Sequence, residues 1–238
     1  MTKPSHITCG AAGNEADQRH LATPVSADQE AWLQGQLDFV WNVAADEEPP
    51  DAPVAPAGAP IVFLDLDDVV CLCKTVGGID ALECVTAKRI DVDFVYQNLF
   101  EPRPVEVLRQ MHDAMGGRLR YVISSTWREH FTRAQLRQVL VRAGLGFVSA
   151  CVEGRARWAT PRLGRLGRYA EIKAWLAEHH AGEPFCVIDD WWSGSTLTST
   201  SGCRHRVTLC KMGVGLEPEH LENMVRALGT PVDSQERW

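Results

Sequence analysis

No stretch of this 238-residue chain approaches the run of about 20 apolar residues needed to cross a bilayer. The polar N-terminus also lacks the apolar core of a signal peptide. Both absences point to a cytoplasmic protein. The chain has eight cysteines (Cys9, Cys71, Cys73, Cys84, Cys151, Cys186, Cys203 and Cys210) but no CxxC pair. Cys71-Leu72-Cys73 is one residue too short for one, and no second pair follows at zinc spacing. Several of these thiols fall in apolar runs, where a thiol behaves as a small hydrophobe. Reduced thiols are therefore expected, rather than a disulfide framework or a metal site. Internal repeats are missing as well, which excludes a solenoid.

An excess of positive charge is also lacking, since the net charge is −7. That charge is unevenly placed. Residues 1–60 hold nine acidic and two basic side chains, and subtracting these from 31 and 24 leaves 22 of each sign for residues 61–238. Residues 46–60 carry five prolines and read as an extended linker. Before them, Ser26 and Gln29 are spaced as a capping box. Leu33, Leu37, Val40, Trp41 and Ala44 then form an apolar stripe at helical spacing, suited to packing on the domain or to docking a protein partner. The expected division is an acidic N-terminal extension over 1–59 and a catalytic domain over 60–238.

From residue 61 the pattern alternates between strand and helix. The apolar run of residues 61–64 is short, rich in β-branched and aromatic residues, and reads as a buried parallel strand. Further strands are predicted over 121–123, 147–152, 185–188 and 206–210. Helices are predicted over 103–115, 131–143, 169–180 and 218–228, with glycines at several of their ends. Such alternation predicts an α/β fold with a doubly wound parallel sheet. Ligands in such sheets sit at the carboxyl ends of the strands.

The most informative residues lie at those ends. Asp65 and Asp67 follow the first strand, and side chains two apart lean the same way if the extended form persists. Like charges held close do not both ionise freely without a cation or a shared proton. The pair therefore fits a metal site, a catalytic pair, or a strand that simply runs into an acidic turn. Ser124 and Ser125 end a second apolar strand, Lys173 lies in a helical segment, and Asp189 and Asp190 end another buried strand.

Strand-DxDxV, strand-Ser, helix-Lys and strand-DD, in that order, resemble the four motifs of the haloacid dehalogenase (HAD) superfamily. The runs Phe63-Leu64-Asp65-Leu66-Asp67-Asp68-Val69-Val70, Ile123-Ser124-Ser125-Thr126-Trp127-Arg128, Val187-Ile188-Asp189-Asp190 and Val214-Gly215-Leu216-Glu217 are similar to a small-cap subfamily. Its members include the HAD domains of "Swiss army knife" RNA-repair proteins. The resemblance covers about residues 60–228. Asp68, where that subfamily often has glycine, and Lys211-Met212-Gly213, where a more acidic stretch is expected, depart from it. It implies a HAD-like Rossmannoid fold with a minimal flap cap, here residues 71–83 hinged at Val76-Gly77-Gly78.

The resemblance also implies a phosphatase that uses Mg2+ and an aspartyl-phosphate. Asp65 is then the nucleophile and Asp67 the general acid and base. Ser124 donates to the phosphoryl oxygens, and Lys173 spreads positive charge over Asp65 and the phosphate. Asp65, Asp67 (through its backbone carbonyl), Asp189 and Asp190 form the metal side of the site. Ser125, Arg128 and Arg168 are candidate substrate contacts, with Arg128 able to hold a second phosphate or its own loop. Trp127 is expected to pack beneath the site. Five arginines with Trp158 over 155–168 suit phosphate recognition or a solvated basic loop. The expected substrate is a nucleotide or a nucleic-acid terminal phosphate. Two alternatives are a small-metabolite phosphatase and a non-catalytic binding or regulatory protein on the same scaffold.

Overall fold

A computed structural model describes residues 58–154, 156–199 and 204–232. The N-terminal capping box, apolar stripe and most of the proline-rich linker lie outside the described residues, as do Cys9, Cys203 and Arg155. Four strands form one parallel sheet: β1 (Ile61–Leu64), β2 (Arg120–Ile123), β3 (Phe185–Asp190) and β4 (Val207–Cys210), in the order β2-β1-β3-β4. The helices are α1 (Gly78–Val85), α2 (Val92–Asn98), α3 (Pro102–Ala114), α4 (Arg133–Arg142), α5 (Gly146–Ala150), α6 (Gly167–His179), α7 (Trp191–Gly194) and α8 (Leu221–Gly229).

Both faces of the sheet are covered, as the unbroken apolar strands require. Val62, Leu64, Tyr121, Ile123, Cys186 and Ile188 pack into one core with residues of α3, α4 and α8. Ile61, Phe63, Val122, Phe185 and Val187 face the other way, onto Ile172, Trp175 and Leu176 of α6. The doubly wound α/β fold expected from the sequence is thus observed. The chain leaves β1 for β2 on one side and reaches β3 on the other. The order therefore reverses at the carboxyl end of β1, where such sheets bind ligands.

One expectation is corrected. Residues 147–152 do not form a strand. Residues 146–150 are the short helix α5, whose first turn closes on the Leu145 carbonyl through the amides of Val148 and Ser149. Only Val152 keeps a strand-like bridge, to Tyr121. The flap expected over residues 71–83 runs into α1, and α2 follows it. Gly78 opens α1 against Trp127: a Cβ there would come within 2.7 Å of the indole. Glycine at 78 therefore permits close packing, in addition to any hinge role.

The two departures from the family pattern meet in space. Asp68 has φ +53°, the left-handed conformation that glycine adopts most easily and aspartate tolerates. Its carboxylate accepts the amide of Gly213 at 2.7 Å. The loop after β4 is thereby tied to the loop after β1. Next to this contact, a Cβ on Gly215 would fall 2.5 Å from the Val69 carbonyl.

Candidate active site

The sheet's alternation decides which side chains meet. Phe63 and Val187 face α6, so Asp65 and Asp189, two residues further on, are expected on the same face. Arg168, in the first turn of α6, reaches both. Its guanidinium lies 3.6 Å from Asp65 and 2.8 Å from Asp189 Oδ2, with Glu171 3.6 Å away. The contact with Asp189 is electrostatic: neither Arg168 Nε nor Asp189 Oδ2 has a partner in hydrogen-bond geometry among the described residues.

Asp65, Asp189 and Asp190 are all buried, and one carboxylate oxygen from each lies within 4.8 Å of the others. The cluster is underpaired. Burial and the charge of Asp189 push the Asp65 carboxyl well above its ordinary range, although Arg168 and a hydrogen bond with Ser125 oppose this. Burial raises Asp189 from 3.8 to about 6, against the pull of Arg168 and Ser193. One guanidinium does not neutralise three desolvated carboxylates, so the site keeps protons or takes up a cation.

Ser193, in α7, joins two of these carboxylates. Its hydroxyl donates to Asp189 Oδ1 at 2.5 Å and lies in contact with Asp190 Oδ2. Asp190 in turn caps α7, accepting the amides of Trp192 and Ser193. Asp190 is therefore anchored, while Asp189 turns Oδ1 to Ser193 and Oδ2 to the Arg168 guanidinium. Ser124, completely buried at the end of β2, has a hydroxyl with no partner among the described residues.

Asp67 stands apart from this cluster, half-buried on the flap side. Both its carboxylate oxygens accept the indole N–H of Trp127 at 3.0 Å. Burial pushes its carboxyl up, with Trp127 holding it back. Trp127 is packed between Phe100 and Phe131, with ring centroids 6.1 and 5.3 Å away. The expected packing role is found, together with an orienting role that the sequence reading missed. The signal was available, because a buried indole N–H requires an acceptor. A cavity of about 600 Å³ opens beside Asp67, lined among others by Cys73, Ile79, Trp127, His130 and Phe131.

The remaining candidates fall less centrally. Arg128 donates to the Ser125 carbonyl and to Glu171 at 2.7 Å, which fits the loop-holding role rather than a second phosphate contact. Ser125 caps the 3-10 turn that begins at Thr126, accepting the amide of Trp127. Lys173 is exposed on α6, its ammonium 5.7 Å from the centroid of the Tyr169 ring. The cation paired with Asp65 is Arg168.

Comparison with known proteins places the chain. A family model described as "HAD domain in Swiss Army Knife RNA repair proteins" matches residues 61–221. The chain belongs to this family. The match spans the whole HAD sheet from β1 to β4, and with it every carboxylate described above. No curated protein and no solved structure matches the chain. Membership of the HAD family makes the general activity that of a phosphohydrolase, acting on a phosphorylated substrate. Among the described residues no helix is long and apolar enough to cross a membrane.

Proposed function

We propose that this HAD domain is a Mg2+-dependent phosphomonoesterase working through an aspartyl-phosphate on Asp65. The observation that carries the reading is the buried trio of Asp65, Asp189 and Asp190, whose negative charge Arg168 only partly offsets. An all-oxygen donor set suits a hard cation. Asp65, Asp189, the backbone carbonyl of Asp67 and, through the ordered α7 turn, Asp190 are the groups that would hold Mg2+. When bound, the ion supplies charge neutralisation at the phosphoryl oxygens and favours the ionised form of Asp65.

The chain's own groups do the rest. Asp65 attacks phosphorus as the bond to the leaving oxygen breaks, and Asp67 gives that oxygen a proton. Burial raises the Asp67 carboxyl and so favours its protonated form. Water then attacks the phosphorus and passes its proton to Asp67. Asp65 leaves as a carboxylate, and inorganic phosphate is released. Ser124, with its hydroxyl unpartnered among the described residues, donates to the phosphoryl oxygens. Arg168 holds Asp65 and Asp189 in register and contributes positive charge.

A nucleotide or nucleic-acid terminal phosphate is the substrate class we favour. The cavity beside Asp67 lies within the size range of small-molecule sites and has an aromatic wall. Trp191 and Trp192, directly after the metal-side carboxylates, are exposed. Arg157, Arg162 and Arg165 are exposed in the loop before α6. Exposed aromatics and exposed arginines suit base stacking and phosphate contact.

The test is phosphate release from nucleotides, sugar phosphates and 5′- or 3′-phosphorylated oligonucleotides, with Mg2+ and with chelator. Release that needs Mg2+ and vanishes in Asp65→Asn is expected, with preference for nucleotides or oligonucleotide ends. Preference for sugar phosphates would move the substrate class to small metabolites. No release from any substrate would leave the scaffold as a binding protein.

A further inference from the structure

On the flap side of Asp67, the loop after β1 folds back on itself. The Leu66 carbonyl receives the amides of Val69, Val70 and Cys71, and the Cys71 carbonyl receives that of Asp68 at 2.8 Å. Asp67 and Cys71 are thereby bridged as strand partners. Cys73 then adopts φ +50°, a left-handed conformation rare for a residue with a side chain. The result brings three potential ligand atoms together: Cys73 Sγ is 3.8 Å from both Cys71 Sγ and Asp67 Oδ1. All three ligand atoms lie within 4.8 Å of one another.

We propose that Asp67, Cys71 and Cys73 form a binding site for a thiophilic divalent cation of the Zn2+ class, separate from the Asp65, Asp189 and Asp190 cluster; on the proposed phosphatase reading such an ion takes the carboxylate that carries the proton, so its binding and turnover exclude each other. In a tetrahedral site with Zn–S bonds of about 2.3 Å, the two sulfurs stand about 3.8 Å apart. That is the separation found here, and the 3.8 Å from Cys73 Sγ to Asp67 Oδ1 is within a few tenths of an ångström of a tetrahedral S···O separation. Two thiolates and a carboxylate select Zn2+ over Mg2+. Cys71 is buried and Cys73 is exposed, so the site has a closed floor and an entry path. Cys73 and Asp67 line the cavity, which leaves a fourth position for water. The carboxylate is also oriented from behind by the Trp127 indole, as metal-bound carboxylates usually are. The sequence alone favoured reduced thiols without a metal, since CxC is too short for the usual zinc knuckle; the folded loop adds Asp67 to the two thiols.

The experiment uses the full chain, kept reduced, with Mg2+ in excess to fill the all-oxygen site and Co2+ as the spectroscopic probe. One equivalent of Co2+ should give the thiolate-to-cobalt charge-transfer and intense visible bands of a tetrahedral two-thiolate site. Zn2+ should abolish them and further Mg2+ should not. Cys73→Ser, at an exposed position, should roughly halve the charge-transfer band and weaken Zn2+ at least about tenfold. Asp67→Asn should weaken Zn2+ while keeping the two-thiolate intensity. Absence of the charge-transfer band would overturn the proposal, as would a band that survives Cys73→Ser unchanged. None of these readouts requires turnover, so they stand or fall independently of the phosphatase reading.

Discussion

Charge is buried at both ends of this sheet, and the two ends treat it differently. At the amino end, Arg120 opens β2 and pairs with both Glu153 and Glu183, the latter at 2.7 Å. Arg206, completely buried, donates to the carbonyls of Phe185, Ala227, Thr230 and Pro231. There the cations are surrounded by acceptors. At the carboxyl end, three carboxylates share Arg168, and Asp189 Oδ2 and Ser124 Oγ lack hydrogen-bond partners among the described residues. Satisfied buried charge holds elements together. Buried charge left unsatisfied is a standing cost that folding alone does not explain. The difference separates a structural end from a chemical one without reference to any relative.

The sharpest way to break the comparison is Asp65→Asn. If Asp65 is the nucleophile, turnover falls by at least about a thousandfold. Because the same change removes one of three crowded buried charges, the metal-free protein should become more stable, raising its denaturation midpoint. Steady-state phosphate release and urea unfolding in chelator read the two effects. A variant that loses stability along with activity would mean that the carboxyl end is as structural as the amino end.

At that amino end the opposite balance is expected. Arg120→Met leaves Glu153 and Glu183 without their shared cation, and breaking a buried pair this way costs about 3–5 kcal/mol. Chemical denaturation measures it. The folded fraction should bind Mg2+ as before, and loss of Mg2+ binding from well-folded protein would contradict the separation of the two ends.

The carboxyl end should also reveal itself through pH. Asp189 sits at about 6, above its ordinary 3.8. Between those values the folded chain holds a proton that the unfolded chain has released. Metal-free stability from this group therefore falls as pH rises through that window and levels off above about 6. Mg2+ needs the ionised carboxylate, so its stabilising shift should be larger at pH 7 than at pH 5. His112 and His220, which burial lowers, pull the metal-free profile the other way. The difference between wild type and Asp189→Asn reads Asp189 together with the Asp65 carboxyl that its charge pushes up, and a difference independent of pH would refute the assignment.

Much of the chemical end was legible because its strands are. An apolar run such as 61–64 can only be buried, and a carboxylate closing it must lie at the sheet's edge. The segment 147–152 misled for a related reason. A short apolar run does not distinguish strand from helix by periodicity, and here the contact of Ser149 with Arg137 on α4 goes with a helical turn. The Asp67, Cys71 and Cys73 group was invisible to spacing rules because a loop reversal, rather than a fixed interval, assembles it.

Lys173 offers the finest test, because the helix itself argues against the motif. At 100° per residue, Ile172, Trp175 and Leu176, which face the sheet, lie within about 80° of Arg168 around the axis, whereas Lys173 lies about 140° away. The apolar stripe thus turns Arg168 into the site and Lys173 toward solvent, which is where each is found. Arg168→Ala should lower turnover by about a hundredfold, by leaving Asp65 and Asp189 without their partner. Arg168→Lys should recover part of it, since a point charge replaces a planar fork. Lys173→Ala should change turnover by less than about twofold, the size expected of a solvated surface charge. The three variants assayed side by side at saturating Mg2+ decide the matter. A large loss in Lys173→Ala would mean that α6 turns about its axis when substrate binds.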